Sequence, residues 1–345
     1  KGGVGKTVVS AALARAAALV GRSALIVEVE GKSGLPRMFG QASLDYDEIV
    51  LSKGGGPEGA ADISARTLTP DAALMEYLED HGMSRVLKRL ASSGAVEVVS
   101  TAVPGLRDIL ILGKVKQLQR AAAADVIILD APAAGHAINF LRSAAGIVDA
   151  IKVGPIHTQA ADVLELLADH ERCEVLLVTL PEETPVNELV ETAFSLEDQV
   201  GVGLGPVVVN GVYPDMAGLD IAPDVAAAEA EVSLRHGEAD ALAEAASFRR
   251  HRIDLQRGQV ARLAERLPLP QIDLPFLFES ELGPAEIDVL ARAVLDSFDG
   301  TDAIGTIASL GATDTAGGAA GSTGGADREP VDGDAAAPDA VEEAR

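Results

Sequence analysis

The chain has 345 residues, of which 48% are hydrophobic but only 3% aromatic, and its formal charge is −25 at pH 7. This length suits one large domain or two smaller ones, with an interior built from Ala, Val, Leu and Ile. The negative charge repels a phosphate backbone, so we expect no sequence-independent binding of nucleic acid.

The cysteine content limits metal and redox chemistry. Cys173 is the only cysteine, so one chain cannot form an internal disulfide, a CxxC zinc pair or an iron–sulfur cluster. We therefore expect neither a zinc site nor a multi-thiolate arsenite site. No uninterrupted apolar run reaches the roughly 18 residues of a membrane span, and we expect a cytoplasmic protein.

Helical and β-branched stretches alternate along the chain, which is typical of a parallel α/β sheet. The predicted helices are residues 6–20, 137–144, 158–170 and 186–199. The predicted strands are residues 24–29, 96–100, 126–129, 174–180 and 207–209. Their continuous apolar runs suit strands buried on both faces, and ligands of such sheets bind beyond the carboxyl ends of the strands.

The predicted domain organisation has one α/β domain over residues 1–300. Two mostly helical regions, about 71–120 and 224–266, interrupt the alternation and predict a helical subdomain, unless they are ordinary solvated amphipathic helices. Residues 301–345 are rich in Gly, Ala and acidic side chains. They cannot bury enough apolar surface to offset chain entropy, so we predict a disordered acidic tail.

The chain opens on the glycine-rich segment KGGVGKT, residues 1–7. Its glycines let successive backbone N–H groups converge on phosphate oxygens. In a P-loop ending in GK[ST], Lys6 lies against the β- and γ-phosphates and the hydroxyl of Thr7 binds Mg²⁺. The segment therefore predicts ATP and Mg²⁺ as cofactors, and the nucleotide-binding residues Gly2, Gly3, Val4, Gly5, Lys6 and Thr7. We expect a further short stretch of the loop and its strand before Lys1.

With Lys1 included, this segment resembles the deviant Walker A motif of the arsenite-transport and tail-anchored-protein targeting ATPase family. The resemblance covers about residues 1–298. It implies a doubly wound, mostly parallel P-loop NTPase with helical insertions. It also implies a dimer, with a second copy or a paralogous ATPase, in which Lys1 reaches the partner's phosphates.

Residues 23–40 (SALIVEVEGKSGLPRMFG) resemble the second strand and switch I of that family. Glu30 stands where the family has the Asp that activates the attacking water, and Gly31 replaces the Pro that follows it. A glutamate can still polarise water, so Glu30 joins Lys1 and Lys6 as a candidate catalytic residue. The alternative is a solvated carboxylate at a strand end.

Three further segments carry the resemblance. Residues 126–141 (VIILDAPAAGHAINFL) resemble Walker B and switch II, which places Asp130 near Mg²⁺ unless it only caps a helix. Residues 207–210 (VVVN) resemble the strand whose last residue, here Asn210, reads adenine, although Asn-Gly is also an ordinary turn signal. Residues 269–283 resemble the adenine-side loop, with Pro275 at the contact position.

The resemblance implies an ATP-hydrolysing dimeric switch that couples its nucleotide state to a protein client or membrane partner. Because Glu replaces Asp at position 30, the alternative is a catalytically weak, ATP-binding regulatory subunit that pairs with an active paralogue. Apolar residues between positions 74 and 112 would line a client groove, but core packing explains them equally well.

Overall fold

The computed structural model describes residues 2–29, 34–55, 59–80, 82 and 105–297. Lys1, Glu30, the predicted strand at 96–100 and the predicted tail at 301–345 lie outside the described residues.

The described elements follow the expected alternation of helices and strands. The first are α1 (Lys6–Leu19), β1 (Ala24–Val29), α2 (Leu35–Met38), β2 (Ile49–Ser52), β3 (Ile63–Leu68) and α3 (Pro70–Asp80). After the gap come α4 (Leu106–Arg120), β4 (Val126–Asp130), α5 (Ala134–Ala150) and α6 (Pro155–Ala168). The last are β5 (Glu174–Thr179), α7 (Glu183–Gln199), β6 (Gly203–Val212), α8 (Pro223–Glu229), α9 (Glu238–Arg266), β7 (Gln271–Pro275) and α10 (Pro284–Asp296).

The strands form two sheets, of order β2-β3-β1-β4 and β5-β6-β7. Strand β1 pairs parallel with β3 and β4, and β6 pairs parallel with β5 and β7. Only β2, at the edge of the first sheet, runs antiparallel among the described strands. The fold is thus the mostly parallel α/β arrangement predicted from the sequence, with β2 and β3 as two strands that were not predicted.

Helices cover both faces of the sheets, as the alternation of buried side chains along a strand requires. Leu25 and Val27 of β1 lie in one core with α4, α5, α6, α7 and the end of α9. Ile26, between them, lies in a second core with α1 and α10. In β6, Val207 and Val209 join the first core and Val208 the second. Each core therefore contains residues of both sheets.

The apolar residues considered above for a client groove are buried where they are described, except Met75 of α3, which is half-buried. Leu74 and Leu78 of α3 pack against Leu106 and Leu110 of α4. Ile109 and Ile111, on another face of α4, lie in the large core. In the described part of this region, core packing is the observed outcome. No helix in the described ranges is long and apolar enough to cross a membrane.

Candidate functional site

The glycine loop ends where α1 begins. Gly3 and Gly5 have φ angles of 83° and 91°, in the left-handed region that glycine adopts without strain. A Cβ on Gly5 would also lie 2.2 Å from the side-chain Nδ2 atom of Asn210. Position 5 thus requires glycine for its backbone and for its space. The first N–H groups of α1 lack partners within the helix, so this end of α1 suits an anion.

The carboxylate of Asp130 meets the loop at the carboxyl end of β4. The Thr7 hydroxyl donates a hydrogen bond to Asp130 Oδ2 at 2.7 Å, and the Ser10 hydroxyl lies 3.5 Å from Oδ1. Both hydroxyls come from the first turns of α1. The sequence predicted Thr7 and Asp130 as neighbours through a bound ion, and the structure brings them into direct contact.

Burial is the main influence on the Asp130 carboxyl and raises its pKa above the usual range. The hydrogen bond from Thr7 and the positive charge of Lys6 lower the pKa, the charge of Glu28 raises it, and the net result is an increase. A partly desolvated carboxylate beside a hydroxyl and a phosphate-binding loop is a donor set that suits Mg²⁺, which takes few protein oxygens and completes its shell with phosphate and water. The residues therefore fit the ion.

Glu28 is a second carboxylate at this end of the sheet that the sequence reasoning did not single out. It is 4% exposed, and its strand β1 places it in register with Asp130 of β4. Its Oε2 atom accepts a hydrogen bond from the Thr67 hydroxyl at 2.9 Å. The available signal was a carboxylate inside the otherwise apolar strand ALIVEV, because a buried charge needs partners.

Asn210 reaches the loop from the second sheet. It lies in β6, and its side-chain Nδ2 donates a hydrogen bond to the Val4 carbonyl oxygen at 3.0 Å. Pro275 ends the neighbouring strand β7, in register with Val212. The loop is therefore bound by one side chain from the end of β4 and by another from β6.

An aromatic cluster that the sequence reasoning also missed follows these two strands. The ring of Tyr213 meets that of Phe276 edge-on at 4.9 Å between centroids, and Phe278 lies 4.7 Å from Phe276. The guanidinium of Arg249, from α9, lies 4.1 Å from the centroid of Tyr213 and 4.8 Å from that of Phe278. These distances are within the range of cation–π attraction.

The structure thus assembles most of the predicted residues. Two hydrogen bonds join the loop, Asp130 and Asn210, and Pro275 lies on the adjoining strand. His136, from the segment that resembles switch II, lies exposed in the first turn of α5. The predicted catalytic residues Lys1 and Glu30 lie outside the described residues.

Comparison with known proteins agrees with this geometry. Residues 1–152 match the family described as anion-transporting ATPase. The chain is 33% identical over 298 residues to ATPase BagA of Mycobacterium tuberculosis, covering 80% of this chain and 85% of that protein. It is 24% identical over 220 residues to ATPase get3 of Botryotinia fuckeliana, covering 62% of this chain and 58% of that protein. A Halobacterium salinarum protein named as an arsenical pump-driving ATPase is 25% identical over 232 residues, which are 62% of this chain and 35% of that protein.

Proposed function

Because this chain belongs to the anion-transporting ATPase family, we propose that it hydrolyses ATP as a dimeric switch, with Mg²⁺ as cofactor. The observation that carries the proposal is the contact between Thr7 and Asp130 at the start of α1. It combines a phosphate-binding loop, a hydroxyl and a half-buried carboxylate in one place. The names of the relatives support ATPase activity.

In this proposal each residue has a definite task. The N–H groups of Gly2 to Gly5 hold the phosphate oxygens, and the Lys6 ammonium neutralises charge on the β- and γ-phosphates. Thr7 and Asp130 hold Mg²⁺, which supplies further neutralisation of that charge. Asn210 and Pro275 lie on the side of the adenine.

The remaining tasks rest on the resemblance of the sequence. Glu30 orients the attacking water, and Lys1 of the partner subunit adds positive charge at the phosphates. Residues 1–300 form the ATPase domain, and the helical regions at 71–120 and 224–266 couple it to a client or membrane partner. The dimer forms with a second copy or with a paralogous ATPase.

The test is ATP turnover as a function of protein concentration, for the wild-type chain and for Lys6→Ala and Asp130→Ala. Lys53→Ala is the matched control, because Lys53 is an exposed lysine that follows β2. We expect turnover per subunit to rise with concentration, to be lost in both site variants and to persist in the control. A wild-type chain that binds no ATP would refute the proposal.

A second function is favoured by the glutamate at position 30. If the chain binds ATP tightly but does not turn it over, it is a regulatory subunit that requires an active paralogue. Titrating the wild-type chain with labelled ATP under the same conditions separates this outcome from the first.

A further inference from the structure

Residues 214–248, which we call the arm, lie mostly exposed, although Asp215 within it forms an ion pair with Arg257 of α9. No residue in this range is buried, and α8, which lies within it, contributes nothing to a core. Helix α9 has 29 residues and its first buried residue is Ile253, so it runs about 22 Å before it reaches the core. Large apolar side chains are exposed along the arm: Met216, Ile221, Val225, Val232, Leu242 and Phe248. Such a concentration indicates an interaction surface.

One face of α9 carries an apolar seam. Ala241, Phe248 and Leu255 are spaced by seven residues, which places them on one side of a helix. All three are exposed, Phe248 by 67%. At about 100° per residue, this face is roughly a quarter turn from the one that buries Gln256 and Leu263. A second helix can therefore cover the seam without displacing the helix from its own core.

The charges of α9 are divided between its two halves. The residues up to Phe248 include three acids and no Lys or Arg, whereas the residues from Arg249 onward include six Arg and two acids. Two such helices repel each other when parallel and attract each other when antiparallel. The sequence of α9 is thus complementary to a reversed copy of itself.

In an antiparallel pair with its twofold axis at Phe248, each residue faces the residue of the second copy that is equally far from Phe248 in the opposite direction. Ala241 then faces Leu255 of the second copy, a small side chain opposite a large one. Glu244 faces Arg252 of the second copy, which combines opposite charges. Within its own chain, Arg252 lies 3.5 Å from the half-exposed Glu182, and a guanidinium has further N–H donors for a second carboxylate.

We propose that α9 pairs antiparallel with α9 of a second copy of this chain, about a twofold axis at Phe248. The inference deepens the dimer of the proposed function by supplying its contact surface. Twofold symmetry is the commonest form of association between identical chains. Arg249, next to the axis, contacts Tyr213 and Phe278 beyond the site strands. The interface therefore adjoins the candidate site.

The first experiment is disulfide cross-linking of Phe248→Cys, in a Cys173→Ser background and without nucleotide. A disulfide requires Cβ atoms roughly 3.8 Å apart, and only a residue at the axis meets its own copy so closely. Ala243→Cys is the matched control, since it is exposed on the same helix but lies off the seam. We expect mild oxidation to convert most of the Phe248→Cys chain into a covalent dimer and to leave Ala243→Cys without a cross-link. Equal cross-linking of the two variants, or none at position 248, overturns the proposal.

The second experiment measures the dimer dissociation constant by sedimentation equilibrium. Phe248→Glu places two carboxylates together at the axis and should raise the constant at least tenfold, with an unchanged circular dichroism spectrum because Phe248 is exposed. Glu244→Arg should also weaken the dimer, and adding Arg252→Glu should restore it. A chain that is monomeric at all concentrations, or that dimerises only with a paralogue, contradicts the proposal. ATP turnover by a chain that fails these tests would overturn this inference while leaving the ATPase proposal intact.

Discussion

Replacing Asn210 with alanine tests whether its amide orders the glycine loop or serves only the base of a nucleotide. The side chain donates a hydrogen bond to the Val4 carbonyl at 3.0 Å, and Val4 is buried. The amide also occupies the space that a Cβ on Gly5 would need. We expect the variant to loosen the loop and so to weaken binding of phosphate even when no base is attached.

The size of the effect follows from that one hydrogen bond. A net loss of about 0.5–1.5 kcal/mol is usual for such a bond, and a buried acceptor left without a donor costs about 1–3 kcal/mol. A loss of about 1–2 kcal/mol corresponds to roughly 5–30-fold weaker binding. The isosteric Asn210→Asp variant should lose more, because it places a charged acceptor against the Val4 carbonyl.

Calorimetric titration with magnesium tripolyphosphate and with MgATP measures the effect for each variant and the wild type. If the amide orders the loop, both ligands bind more weakly. If Asn210→Ala weakens the binding of MgATP but leaves the binding of magnesium tripolyphosphate unchanged, the amide acts on the base alone and the reasoning is refuted. Thermal unfolding of each variant controls for general loss of structure.

Three further outcomes follow from single sites. Gly5→Ala should lose about 1–2 kcal/mol of stability from its left-handed backbone, and it should lose phosphate binding because its Cβ displaces Asn210. Gly146→Ala in α5 is the control for the same titration, since its added Cβ meets nothing within 4 Å, and it should bind normally. Burial alone would raise the pKa of Glu76, but hydrogen bonds from a lysine and a tyrosine outweigh it and lower the pKa. Glu76→Gln should therefore lower the free energy of unfolding by about 1–3 kcal/mol at pH 7. Denaturant titrations should show this difference shrinking as the pH falls through the acidic range, because the wild-type carboxylate is then protonated. Burial raises the pKa of Cys173 to about 11, so its alkylation should accelerate about tenfold per pH unit between pH 7 and 10, and a flat rate profile would contradict that shift.

The sequence predicts strands dominated by a run of apolar residues and misses β2, which has four residues, and β3, in which polar residues break up the apolar ones. Strand β1 reads ALIVEV and was located to the residue, whereas β3 reads ISARTL and was missed. Arg66 of β3 is nevertheless buried, with its guanidinium 4.7 Å from the ring centroid of Tyr46. That partner is distant in the sequence, so no local pattern shows that the arginine can be buried.

Strand β6 illustrates a second limit. Only residues 207–209 were predicted, but the strand extends over Gly203–Val212. Its first residues include two glycines and a proline, which disfavour strands on their own. They become a strand because β5 pairs along one side of β6 and β7 along the other. Pairing with neighbours outweighs the local preference.

Some residues of the candidate site can likewise be predicted from the sequence, and others cannot. The glycine loop is contiguous in the sequence, so its geometry follows from residue spacing, and Thr7 could be assigned from it. Glu28 becomes part of the site only through the register of β1 with β4. The exposure of Phe248 depends on where along α9 the contacts with the core begin, which is at Ile253. Neither feature has a local signature.

The two contacts of the loop have a mechanical consequence. Thr7 binds a residue of the first sheet and Val4 a residue of the second, three positions apart on one short loop. A phosphate group that shifts the loop breaks one of these hydrogen bonds unless the two sheets move relative to each other. Because Asn210 and Tyr213 both follow the buried part of β6, any displacement on that side reaches Arg249 at the seam of α9. The loop, β6 and α9 therefore form a continuous chain of contacts from the phosphate end of the site to the arm.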